Sequence, residues 1–304
     1  MDRPSDADLA AYTAARDGAA VASADRDVLV VSGPDALDYL QGQVTQEVAD
    51  MQVGESRWSF VLQPQGKVEA FFRMTRTGPT ELVVDVDGGW GDVLRASLER
   101  FKLRTKLEVE PLGWRVLSVR GPDAASAVAA ARGHELAVPA PDVGLAGTDL
   151  MGPDPVVDDV PVLGPAAWEA LRIESGLPRM GAELDESTIP NETGLLEVAV
   201  SFTKGCYRGQ ELVERIHSRG GRRQQLMGVV AEAEGELAAG DELRLTAEDK
   251  AVGRVTSAAW SPLLGASVGL AYVRSVLEPG HEVVVGSSDT RAVVRELPLV
   301  GGAT

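Results

Sequence analysis

The chain is poor in the residues that most often carry chemistry. Among 304 residues there is one cysteine, Cys206, and there are three histidines, His134, His217 and His281. One cysteine excludes an internal disulfide, which fits a reducing compartment. It also excludes an iron–sulfur cluster held by this chain alone, since such clusters take several thiolates. The histidines are scattered and lack the spacing of a ligand set, so no metal site is expected. No apolar run reaches the roughly 20 residues of a membrane span. The N-terminus, Met1-Asp2-Arg3-Pro4-Ser5-Asp6, is acidic where a signal peptide would be basic and then apolar. A cytoplasmic protein is expected. Basic residues are in deficit, 29 against 46 acidic, for a formal net charge of −17. That balance argues against broad nucleic-acid binding, which needs a positive surface. P-loop and dinucleotide glycine motifs are absent, as is the nucleophile elbow of a serine hydrolase.

Against these absences, Lys204-Gly205-Cys206-Tyr207-Arg208-Gly209-Gln210-Glu211 stands out. The only thiol sits between two glycines and two cations. Nearby positive charge favours the thiolate, the reactive form of cysteine. Glycines permit close approaches and backbone angles that a Cβ forbids. The run Gln210-Glu211-Leu212-Val213-Glu214-Arg215-Ile216 has helical apolar spacing. The stretch therefore reads as a glycine loop entering a helix, with Cys206 near the positive end of the helix dipole. Lys204, Arg208, Arg215, Arg219, Arg222 and Arg223 are opposed by only Glu211 and Glu214. Such a cluster suits a small polyanion, as it also suits a solvated helix face. Lys102, Arg104 and Lys106 form a second basic patch.

The order of elements predicts an α+β chain. Val28–Val31 reads as a strand, followed by Gly33-Pro34-Asp35 and a helix that Gly42 would stop. Trp58–Leu62 and Val68–Met74 flank a Pro/Gly turn as a hairpin. Leu82–Val86 is a further strand, and Trp90, Val93, Leu94, Leu98 and Phe101 recur at helical spacing. A second strand followed by Gly-Pro-Asp, Val116 to Asp123, echoes the first and suggests tandem units. Between Gly133 and Pro165, short strands joined by turns are expected. Pro165 starts a helix that Gly176 ends. From Arg222 onward, short β-like runs with glycine turns predict a small antiparallel barrel or sandwich. The expected division is 1–110, 111–221 and 222–304.

The run Ser201 to Glu211 resembles the signature of the YgfZ proteins, relatives of the glycine-cleavage T-protein (aminomethyltransferase). Tyr39 to Val48 is similar to that family's first helix and turn. Leu171-Arg172-Ile173-Glu174-Ser175-Gly176 resembles its Leu-Arg-x-Glu-Ala-Gly pattern, and Ile189-Pro190 with Glu192 also matches. Gly253 to Ser257, Ser261-Pro262 and Gly269 to Val273 resemble its C-terminal barrel.

The resemblance implies two α+β units around a central folate pocket, with a barrel appended. It implies a tetrahydrofolate-binding protein that supports assembly or repair of iron–sulfur enzymes, a tRNA-modifying one included. Partners would be folate, polyglutamylated in form, and iron–sulfur enzymes or cluster-assembly proteins. Cys206 would be the functional thiol, tuned by Lys204 and Arg208. Arg172 would hold folate, with Glu174, Gly205, Tyr207, Gly209, Gln210 and Glu211 around it, and the basic cluster would take the glutamate tail. The alternative is a folate-dependent aminomethyltransferase or demethylase. Against it, the family's strand aspartate falls at Ala70, and adjacent Glu69 would point to the opposite face. The family's Gly-Tyr-Thr-Gly-Glu segment has no equivalent near Asp149 to Pro153.

Overall fold

The structure, a computed structural model, describes residues 4–140, 145–232, 234–245, 250–286 and 290–301. Residues 141–144, in the loose segment before Pro165, lie outside that set. Helix α1 (Asp6–Asp17) opens with a capping box, in which Ser5 accepts from the Asp8 amide and the Asp8 carboxylate accepts from the Ser5 amide. Strands β1 (Ala20–Ala24) and β2 (Arg26–Ser32) follow, then α2 (Ala36–Gln43), which runs through Gly42 and ends just after it. The hairpin forms as β3 (Ser56–Leu62) and β4 (Val68–Gly78), with Trp58 opposite Arg73 and Phe60 opposite Phe71. Strand β5 (Glu81–Asp87), helix α3 (Gly91–Glu99) and strand β6 (Glu108–Leu112) complete the first unit.

Its five strands form an antiparallel sheet in the order β3-β4-β5-β2-β6. The apolar face of this sheet buries Leu29, Val31, Phe72 and Leu82 against Leu40 of α2 and Leu94 and Leu98 of α3. Each such side chain contributes about 1.5–3 kcal/mol on burial, so the face is held by many contacts and not by one.

The second unit comprises β7 (Arg115–Arg120), α4 (Ala124–Val128), β8 (Leu136–Pro139), β9 (Gly147–Gly152) and α5 (Pro165–Glu174). Its sheet has the order β1-β7-β9-β8, so its edge strand comes from before the first sheet in the chain. Short helix α6 (Leu196–Ala199) and α7 (Gln210–Arg219) lead to the barrel. There β10 (Gln224–Ala231), β11 (Glu242–Arg244), β12 (Ala251–Ser261), β13 (Ala266–Arg274), β14 (Glu282–Val285) and β15 (Thr290–Arg295) close in the order β10-β13-β12-β11-β14-β15. Closure removes the exposed sheet edges. The expected α+β architecture with a C-terminal antiparallel barrel is the one observed. Among the described residues no helix is long and apolar enough to cross a membrane.

Two buried polar knots lock the three layers together. Arg73 of β4 pairs with Asp85 of β5 at 3.0 Å and with Asp149 of β9 at 2.8 Å, joining the two sheets beside Val28, Val83, Val116 and Met151. Glu174, at the end of α5, accepts from the Tyr12 hydroxyl at 2.7 Å and from the Ser261 hydroxyl at 2.5 Å, and pairs with Arg16. That knot binds α1, α5 and the barrel to one another. A buried carboxylate is tolerated only with partners of this kind.

Candidate functional site

A cavity of about 860 Å³ opens between the two sheets and is roofed by α5 and the segment after it. Its apolar wall includes Trp58, Phe71, Trp168, Leu171, Leu177 and Met180. Trp58 and Phe71 stack with ring centroids 4.8 Å apart, and the Arg26 and Arg73 guanidinium groups lie over the Trp58 ring at 5.4 Å. The volume lies in the range of small-molecule sites, and apolar walls with a few polar groups are their usual construction.

The cations in the wall are mostly spent. Arg26 pairs with Asp85 and Asp87, and Arg120 pairs with Asp149 at 2.7 Å. Arg172 of α5 donates to both oxygens of Glu169, at 2.7 and 2.8 Å, and through its other amino group to the Leu177 carbonyl at 2.6 Å and Glu183 at 3.0 Å. Burial alone would raise the Glu169 pKa, but its hydrogen bonds and charge contact with Arg172 hold it below the ordinary value. Glu183 is fully buried, and its other oxygen accepts from the hydroxyls of Thr256 and Ser257 on β12. Arg172 thus ties the cavity roof to the barrel. In contrast, Arg179 is half exposed, and its nearest carboxylate oxygen, on Glu169, is 3.6 Å away. Its amide donates to Glu183 at 3.1 Å, which fixes the backbone while leaving the guanidinium available.

The signature loop is built on the first unit, against α2 and the β3–β4 hairpin. Gly209 caps α7 with φ +82°, and a Cβ there would lie 2.5 Å from the Gln63 carbonyl oxygen and 3.3 Å from the Gly66 Cα. Only glycine meets both demands. Gly205 has open space around it and carries no such requirement. The Gln210 side chain accepts from the Tyr207 amide at 2.9 Å. The Lys204 ammonium donates to the carbonyls of Val44 and Gln46, both at 2.8 Å. Burial lowers its pKa to about 8, with Glu47 acting in the opposite direction. Arg208 pairs with Glu69 at 2.9 Å and donates to the Ser97 hydroxyl at 2.5 Å. Tyr207 is buried in the first core. Cys206 remains exposed.

Several expected placements change. None of residues 201–223 lines the cavity, so Gly205, Tyr207, Gly209, Gln210 and Glu211 do not surround a ligand there. Lys204 and Arg208 hold the loop to α2, β4 and α3, and their charged groups are engaged by backbone oxygens and Glu69. Glu174 is part of the knot with Tyr12 and Arg16, outside the cavity lining. Arg172 does line the cavity, but its guanidinium faces Glu169 and Glu183. The basic cluster lies on α7 and the turn after it, away from the cavity lining, and cannot serve as the cavity's funnel. Ala70 is fully buried in the first core, while neighbouring Phe71 faces the cavity. Arg179 was not foreseen; its place between Pro178 and the Met180 turn gives no sequence signal.

Comparison with known proteins agrees with this architecture. The glycine cleavage T-protein C-terminal barrel domain matches residues 224–300. The chain is 29% identical over 300 residues to the tRNA-modifying protein YgfZ of Edwardsiella ictaluri, covering 88% of each. It is 28% identical over 296 residues to an aminomethyltransferase of Rubrobacter xylanophilus, covering 88% of this chain and 79% of that one. A mitochondrial iron–sulfur cluster assembly factor IBA57 homolog of Chaetomium globosum is 29% identical over 248 residues, 71% of this chain and 56% of the relative. The crystal structure of the glycine cleavage system aminomethyltransferase T from Bartonella henselae superposes with a TM-score of 0.85 at 22% identity, over 96% of this chain and 89% of that one. At that identity the match speaks for the fold.

Proposed function

We propose that this chain, similar along most of its length to a YgfZ protein and sharing the fold of the glycine-cleavage T-protein, is a tetrahydrofolate-binding accessory protein of the YgfZ family that supports assembly or repair of iron–sulfur enzymes through the thiol of Cys206. The observation that carries this reading is a separation: the cavity lies between the sheets, and the one thiol stands exposed outside it. A thiol outside the cavity cannot act on a molecule within it, so it is presented to a partner. The loop that presents it is pinned through Gly209, Lys204 and Arg208, and the sulfur stands exposed on it. The names of the YgfZ and cluster-assembly relatives supply the class of partner, a tRNA-modifying iron–sulfur enzyme included.

The cavity suits a folate. Its aromatic lining by Trp58 and Phe71 suits a pterin ring. Arg179 is the wall's available cation and takes over the carboxylate-holding role first expected of Arg172. When bound, a reduced folate carries one-carbon units; this chain's residues bind and enclose it, and Glu169, held anionic by Arg172, orients it.

The fold shared with an aminomethyltransferase supports a second reading, one-carbon transfer on folate. That reading needs a carboxylate in the cavity at the position of Ala70, and Ala70 is in the apolar core. Glu69 is engaged by Arg208, Arg100 and Ser97. The first reading is therefore preferred.

The test has two arms. Calorimetric titration of tetrahydrofolate into the purified chain should give saturable binding that Cys206→Ala leaves unchanged. The same variant should fail to restore iron–sulfur enzyme activity in a strain lacking the protein. Full rescue would remove the thiol from the mechanism, and absence of binding would remove folate.

A further inference from the structure

The basic cluster is released from the cavity, and its own surroundings point elsewhere. Arg215 and Arg219 on α7, and Arg222 and Arg223 in the turn after it, are all exposed. Among the described residues none of the four makes an ion pair, although Glu211 precedes Arg215 by one helical turn. Four arginines without a lysine among them is itself informative, because the guanidinium fork matches phosphate oxygens in a way an ammonium does not. Beside them an aromatic platform is already assembled. The ring of Phe202, 36% exposed, stacks on the His217 ring with centroids 3.8 Å apart and planes within 15°. Phe202, Arg215, His217, Ser218 and Arg219 line one shallow groove together with Glu211 and Glu214.

We propose that this face binds a single-stranded nucleic acid, with backbone phosphates on Arg215, Arg219, Arg222 and Arg223 and a base stacked on Phe202. A cationic track beside a stacking surface is the general construction of such sites. The net charge of −17 confines the contact to this face and keeps the remaining surface repulsive to the strand. The site places a strand on the loop that carries Cys206, which is separate from the folate cavity and does not depend on it. An acidic protein surface is the competing occupant; it would use the charges but leave the Phe202–His217 stack without a role.

The test is fluorescence anisotropy of the full chain with a labelled, mixed-sequence 15-nucleotide RNA and its DNA counterpart, between 50 and 300 mM salt. The wild type should bind, with a log–log salt slope near −3 for about four neutralised phosphates. Replacing all four arginines by glutamine should weaken binding at least tenfold and flatten the slope. The four side chains are exposed and make no ion pair among the described residues, so the variant should fold, which circular dichroism checks. Phe202→Ala should weaken binding about 5- to 150-fold, the equivalent of losing one stacked base, while keeping the slope. A tighter complex with RNA than with DNA identifies the natural strand, and equal affinities indicate recognition through phosphates and stacking alone. No binding at 50 mM salt, equal binding by the quadruple variant, or displacement by poly-L-glutamate as effective as by unlabelled RNA would overturn the proposal.

Discussion

Arg172 and Glu169 are joined by two parallel hydrogen bonds, from Nη2 to Oε1 at 2.7 Å and from Nε to Oε2 at 2.8 Å, three residues apart on one face of α5. The arginine that sequence similarity offers as a ligand contact is thereby a strut. Its remaining amino group reaches Glu183, which is buried and bonded to two barrel hydroxyls. Removing the guanidinium leaves Glu183 buried without its counter-charge, and such losses cost about 3–5 kcal/mol. Arg172→Ala is expected to lower the unfolding free energy by that amount in the absence of any ligand, measured by urea denaturation. A variant as stable as the wild type would return Arg172 to the role of a ligand contact.

Asp149 gives the fold an acid limit. Burial alone would raise its pKa, but Arg120, Arg73 and the Ser118 hydroxyl outweigh burial and hold it well below the usual carboxylate range. A carboxyl whose folded pKa is depressed contributes stability that is fully present above its unfolded pKa, near 4, and is lost as pH falls toward the folded value. Stability should therefore be steady from neutral pH to about 5 and drop steeply below about 4. Asp149→Asn should reduce that acid slope while lowering stability at pH 7, because Arg120 then loses its carboxylate partner and Arg73 keeps only Asp85. An unchanged slope in the variant would show that other carboxylates set the limit.

Lys204 titrates in the opposite sense. Its folded pKa of about 8 lies below the ordinary lysine value because burial disfavours the charge. The unfolded chain therefore holds the proton more tightly than the folded one. The charge costs stability below pH 8, and this cost is relieved as pH rises from about 8 toward about 10.4. The difference in unfolding free energy between wild type and Lys204→Gln should shift in favour of the wild type across that interval. A difference that stays flat would mean the ammonium is solvated and does not carry the buried contact to Val44 and Gln46.

Much of the architecture is legible in the sequence because strands and helices announce themselves through spacing. The hairpin around Gln63–Lys67, the helix opened by Pro165 and an antiparallel β unit after Arg222 fall where periodicity and turn residues place them. What spacing does not carry is the direction in which a charged group faces. The six cations from Lys204 to Arg223 form one cluster in the sequence, yet Lys204 and Arg208 turn inward to carbonyls and Glu69 while the last four face solvent. Likewise β1 pairs with β7 across the whole first unit, a long-range partnership that no local pattern encodes. The Arg172–Glu169 pair is a partial exception. Its i,i+3 spacing on a helix is readable, and it signals that the arginine has a neighbour of opposite charge before any ligand arrives.

The two signature glycines, alike in sequence, should respond very differently to the same substitution. Gly209 holds φ +82°, and an added Cβ would meet the Gln63 carbonyl oxygen at 2.5 Å and the Gly66 Cα at 3.3 Å, both backbone atoms of the hairpin turn. The left-handed conformation alone costs a β-carbon about 1–2 kcal/mol, and the contact adds to it. Gly205 has nothing within 4 Å of the position its Cβ would take. Gly209→Ala is expected to lose more than about 2 kcal/mol, whereas Gly205→Ala stays within about 0.5 kcal/mol of wild type, as exposed substitutions usually do. Because the loop is mounted on the hairpin through Gly209, alkylation of Cys206 should also lose its uniform rate in the Gly209 variant and keep it in the Gly205 variant. Equal effects of the two substitutions, on stability or on thiol labelling, would mean that the loop is not anchored where Gly209 meets Gln63.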